Sequence, residues 1–183
     1  MKTRSFSSGA AKKIALVGIS AATIECAKLA LAFLPNVEVV TLLCALYGYC
    51  FGYLGVLAAI VFVFIEPIVW GVNTWVVLYF IYWPLVAFVF MLFGKARMKN
   101  RWILSAVAVL LTVFFGVLSS LIDVGLFSGY FDNFFYRFSI YYLRGIPFYI
   151  AQIATNAVVF PLLFLPLSQK LQKISAALLG HGR

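Results

Sequence analysis

Glu25 and Lys28 stand three residues apart inside an apolar run, on one face of the helix that run would form. Charge inside a bilayer is costly and faces protein or a partner. The two read either as a local ion pair that holds a helix in its bundle, or as the polar wall of a cavity or coupling site. A second group follows in Glu66, Trp70, Asn73, Trp75, Tyr79 and Trp83. An interfacial belt explains Trp70 and Trp75. It does not require Glu66 and Asn73 beside them, nor Tyr79 and Trp83 one turn apart. Aromatic walls with a few polar fixers describe a small-molecule pocket. Arg144, then Gln152 and Asn156 at i and i+4, extend the set. The two amides seek hydrogen bonds either from a neighbouring helix or from a ligand.

Most catalytic chemistry is excluded. The one histidine is His181, in the tail, so a serine in a span has no histidine to activate it. No group of His, Cys, Asp and Glu has metal-ligand spacing. No glycine-rich loop ends in Lys-Ser or Lys-Thr, so the chain does not hydrolyse ATP itself. The acids are too scattered for a paired-aspartate phosphotransferase. Cys26, Cys44 and Cys50 read as small buried residues. The expectation is a protein that is not an enzyme and takes no cofactor or metal. Binding, transport and scaffolding remain.

The elements that must position these residues follow from composition and charge. Of 183 residues, 65% are hydrophobic and 10% charged. Soluble domains run at about 45–50% and about 25%. Net charge is +9, but eleven of the fourteen Lys and Arg fall in three acid-free clusters. These are Lys2, Arg4, Lys12 and Lys13; Lys95, Arg97, Lys99 and Arg101; and Lys170, Lys173 and Arg183. Short cationic segments beside spans stay cytoplasmic. That pattern argues for a lipid bilayer and against nucleic acid. Expected spans are residues 14–34, 38–52, 54–66, 73–94, 102–127 and 146–170, each near the length a bilayer needs or shielded by neighbours. The long run at 39–65 must cross twice to keep the first two clusters on one side. It breaks near 51–55, where Gly52 and Gly55 loosen the chain. The fold expected is all-α: one compact domain over residues 1–183, a bundle of six transmembrane helices with both termini cytoplasmic, in the plasma membrane. Residues 35–38, 66–74 and 128–144 become outer loops. The first apolar run is span-length and charged, unlike a cleavable signal. On it Gly18, Ala22, Cys26 and Ala30 recur every four residues. They form either an internal packing seam or a docking face for another membrane subunit.

The ordered features resemble the substrate-binding (S) components of energy-coupling factor transporters. The matching residues are Leu34-Pro35-Asn36-Val37-Glu38-Val39-Val40-Thr41-Leu42-Leu43, Trp70-Gly71, Asn73-Thr74-Trp75, Tyr79 and Trp83-Pro84, then Gly145-Ile146-Pro147-Phe148, Asn156 and Pro166-Leu167. Family members carry an Ala-x-x-x-Ala pair on the first helix; here Ala22 and Cys26, preceded by Gly18, keep the small size. Tyr149 and Gln152 stand where relatives often have an acid and a histidine. The resemblance implies capture of a vitamin or related micronutrient from outside. It implies docking through Gly18, Ala22 and Cys26 to a transmembrane coupling subunit, and energy from two ATP-binding subunits. The substrate set is then Glu66, Trp70, Asn73, Trp75, Tyr79, Trp83, Arg144, Gln152 and Asn156. The competing reading is a non-transporting six-helix scaffold or cell-shape factor. A free-standing transporter or channel is weaker, because buried ions along a path are few.

Overall fold

The computed structural model describes residues 3–128 and 131–179; Lys2, His181 and Arg183 lie outside them. Those residues form six helices and no strand: α1 Thr3–Ala30, α2 Val40–Phe51, α3 Tyr53–Trp70, α4 Trp75–Lys95, α5 Arg101–Ile122 and α6 Phe134–Leu179. A π-helical turn, Asp123–Phe127, prolongs α5. Four of the helices, α3 to α6, are long and apolar enough to cross a membrane. Helix α1 is long but carries Lys12, Lys13, Glu25 and Lys28, and is not among them.

Local chemistry sets the breaks. The chain leaves α1 through Pro35 and Asn36, the latter at φ 60°. Gly52, at φ 64°, separates α2 from α3 within the interval its glycines mark. The left-handed region strains other residues, so glycine serves there. Asn100 caps α5: its side chain accepts from the amides of Trp102 (3.0 Å) and Ile103 (3.3 Å).

Helix α2 is the centre of the bundle. Its 12 residues rise only about 18 Å, and ten of them are buried. It packs on α3, α4 and α6, so protein rather than solvent surrounds its short backbone. Contact is close because side chains are missing where backbones meet. A Cβ on Gly48 would overlap the backbone carbonyl of Ala87 on α4, and one on Gly94 would meet the carbonyl of Tyr49 on α2. Phe90, Phe160 and Phe164 fill the core between α4 and α6, with Phe90 at 5.6 and 5.2 Å from the other two rings. Many large apolar side chains face outward instead, among them Ile19, Phe64, Ile68, Leu110 and Leu162. Two buried hydroxyls on α5 bond within their own helix, Thr112 to the Ala108 carbonyl (2.9 Å) and Ser120 to that of Gly116 (3.0 Å).

The helices connect two distinct ends. At one, Tyr49 donates to the carbonyl of Met98 (2.7 Å), and Lys99 lies beside Ser168 and Gln169. The basic segment 95–101 and Lys170 belong to this end. At the other, Lys28, Val40, Trp70 and Trp75 come together.

The helices run differently from the expected segments in three places. Helix α1 starts at Thr3 and stops at Ala30, rather than covering 14–34. Alanine and lysine are good helix formers, so the helix outruns the apolar run at its start. Residues 128–144 were expected as a loop, yet α6 begins at Phe134. Phe134, Phe138 and Tyr142 stack at i, i+4 spacing, with centroids 6.1 and 5.9 Å apart, and carry the helix outward. Past residue 170 the same helix continues to Leu179, through residues with no breaker among them.

The close approach of α2 and α4 is testable. Gly48→Ala forces a backbone shift and should cost about 1–3 kcal/mol. Gly18→Ala, where nothing lies within 4 Å of the new methyl, should leave thermal unfolding in detergent unchanged or raised. Equal melting of the two variants would refute the contact.

Candidate ligand-binding site

A cavity of about 440 Å³ opens at the end away from the basic segments, within the range of small-molecule sites. One wall is the last turn of α1 and the segment after it, including Lys28, Asn36 and Glu38. Glu66 and Trp70 come from the end of α3. Trp75, Tyr79 and Trp83 come from the first turns of α4; Phe115 and Gln152 come from α5 and α6.

Period-four spacing on α4 makes the aromatic wall. Trp75 and Tyr79 lie 4.9 Å apart by ring centroid, Tyr79 and Trp83 5.4 Å, and Trp83 and Phe115 6.1 Å. Lys28 reaches into this wall. Its ammonium stands 5.2 Å from the Trp70 ring, 5.3 Å from Tyr79 and 5.9 Å from Trp75, and it ion-pairs with Glu66. Lys28 therefore pairs across helices with Glu66 and not with Glu25 three residues earlier. There the ammonium meets one carboxylate and three ring faces together. Glu25 is buried, with neither carboxylate oxygen partnered.

A hydrogen-bond network fixes Glu38. Its carboxylate accepts from the Thr41 amide (2.9 Å), the Thr41 hydroxyl (2.6 Å) and the Asn156 side-chain amide (3.1 Å). Asn156 also donates to the Thr112 hydroxyl (3.1 Å). The start of α2 is thereby tied to α5 and α6.

Of the nine substrate candidates, Glu66, Trp70, Trp75, Tyr79, Trp83 and Gln152 line the cavity. Three do not. Asn156 is fully buried behind it and acts by holding Glu38. Asn73 is exposed, and its side-chain oxygen accepts from the Thr74 amide (2.6 Å), a local turn ahead of α4. Arg144 is exposed two turns before Gln152 on α6. Gly18, Ala22 and Cys26 are exposed on the outer face of α1, so no other helix of the bundle covers them. The candidate set omits Lys28, Glu38 and Phe115. A lysine in an apolar helix needs an acid, which was the available signal for the first. Glu38 sits in the Pro35-Asn36-Val37-Glu38 segment. Phe115, one Phe in an apolar helix, carries no signal.

No protein-family profile, curated protein or solved structure matches the chain.

The ion pair yields a double-mutant test. Lys28→Met leaves Glu66 buried without a counter-charge and should destabilise by about 3 kcal/mol. Adding Glu66→Gln should recover most of that loss, measured by thermal unfolding in detergent. Additive losses would show that the two side chains do not depend on each other.

Proposed function

We propose that this chain is a six-span protein of the plasma membrane, with both termini cytoplasmic, that captures a small molecule from outside. In this reading it is the substrate-binding component of an energy-coupling factor importer. It hands its cargo to a transmembrane coupling subunit served by two ATP-binding subunits. The observation that carries the reading is the cavity: aromatic on one side, polar on the other, and at the end opposite the basic segments. Cationic segments stay in the cytoplasm, which supports an outward-facing mouth. Outward-facing apolar side chains on most helices support immersion in lipid. The short α2 crosses only in company with its neighbours.

Docking rests on α1. Gly18, Ala22 and Cys26 leave a flat exposed strip on which another helix can approach closely. Nothing in the cavity performs chemistry in this role; the aromatic wall stacks the ligand and Gln152 and the charges orient it.

Native mass spectrometry of the chain, purified from its own host in mild detergent, tests the proposal. A stoichiometric small molecule, or a complex with a membrane subunit and two ATPases, supports it. A chain bound only to membrane proteins without ATPases supports the scaffold instead. Trp75→Ala should reduce affinity for the retained molecule about tenfold by removing its stacking face. Ala22→Leu should abolish recovery of the coupling subunit and leave the small molecule bound. Unchanged recovery would move docking to another face.

A further inference from the structure

The charges around the cavity are out of balance. Two of the chain's five carboxylates line it from separate elements, Glu38 from the segment after α1 and Glu66 from α3, and Glu25 of α1 lies against Glu66. Among the described lining residues, only Lys28 is basic. Glu38 is satisfied by Thr41 and Asn156. Glu66 is not. It is fully buried and lines the cavity, yet its Oε1 has no hydrogen-bond partner. Glu25, 7% exposed, lies within side-chain hydrogen-bond reach of Glu66. Uncompensated carboxylate in a low-dielectric site is costly and attracts positive charge.

The same wall already holds a cation. The Lys28 ammonium sits among Trp70, Trp75 and Tyr79 at distances suited to cation–π attraction. Its side chain is 24% exposed, at the mouth of the cavity and on a flexible stem.

Resting on the reading of this cavity as a capture site, we infer that its ligand is an organic cation whose positive nitrogen group takes the place of the Lys28 ammonium, between Glu66 and the aromatic faces. Lys28 is a tethered stand-in. It withdraws toward solvent as the ligand enters, so one cation exchanges for another and Glu66 keeps a counter-charge throughout. An anion would meet two carboxylates, with the one ammonium already engaged. Trp83 adds a further preference. It lines the cavity, is 5% exposed, and its indole N–H has no acceptor, so the ligand gains from an acceptor atom elsewhere on its frame.

The test uses the full chain in detergent and three probes of one shape: benzamidinium, benzamide and benzoate. Binding is read by quenching of tryptophan fluorescence and by thermal shift. Benzamidinium should bind at least about tenfold more tightly than benzamide, and benzoate should not saturate. Glu66→Gln should weaken benzamidinium by a similar factor. Lys28→Met should do the reverse: with the tethered competitor gone, benzamidinium binds more tightly and raises the melting temperature more than it does in the parent chain. That last readout stays informative even though the variant starts from a lower melting temperature. Tighter or equal binding of benzamide or benzoate would overturn the cation inference while leaving small-molecule capture intact. No saturable response to any probe, in either protein, would also overturn the inference; native mass spectrometry then judges capture separately.

Discussion

A lysine ammonium on an apolar helix must find a counter-charge, and the cavity end of this protein is arranged around that need. Lys28 reaches from α1 to Glu66 on α3, and its ammonium draws Trp70, Trp75 and Tyr79 around it. Such a pair adds little net stability, since desolvation offsets most of the attraction. Its contribution is positional. It fixes the last turn of α1 against α3, and so sets where the following segment, with Asn36, crosses the mouth of the cavity. Without it, that wall has no charged anchor.

The floor is held differently. Neutral amide and hydroxyl groups of Asn156 and Thr41 converge on Glu38, and the Thr112 hydroxyl accepts from Asn156 behind them. These bonds link α5 and α6 to the start of α2, which backbone contact at Gly48 and Gly94 clamps to α4. The cavity thus lies between two polar constraints, one ionic near the mouth and one hydrogen-bonded below. The aromatic stack on α4 joins them.

Much of this was legible in the sequence, for identifiable reasons. Hydropathy and the basic clusters mark the helices and the two ends, because lipid-facing surface and charge leave a signal that does not depend on tertiary contacts. Glycines mark the α2–α3 break. The period-four aromatics on α4 face one way in any helix, so Trp75, Tyr79 and Trp83 were readable as a wall. What required the structure was pairing between distant elements. The partner of Lys28 could have been Glu25 or Glu66, and only packing separates them. Asn156 reads as a ligand-binding amide until Thr112 and Glu38 stand beside it. Asn73 and Arg144 are exposed and lie outside the cavity lining. The helical start at Phe134 was hidden because aromatic and polar residues resemble an interfacial loop when span length alone is counted.

The brevity of α2 has an electrical consequence. Glu38 stands just before its first residue, and Tyr49, near its last, contacts the basic segment through Met98. About 18 Å of packed protein therefore separates the cavity floor from the opposite end, against a hydrocarbon thickness of about 30 Å. In a bilayer, a voltage across the membrane falls mainly over that thinner column. The field there is steeper than in the surrounding lipid, and a charge held in the cavity stands on one side of that drop with nearly all of it still to cross.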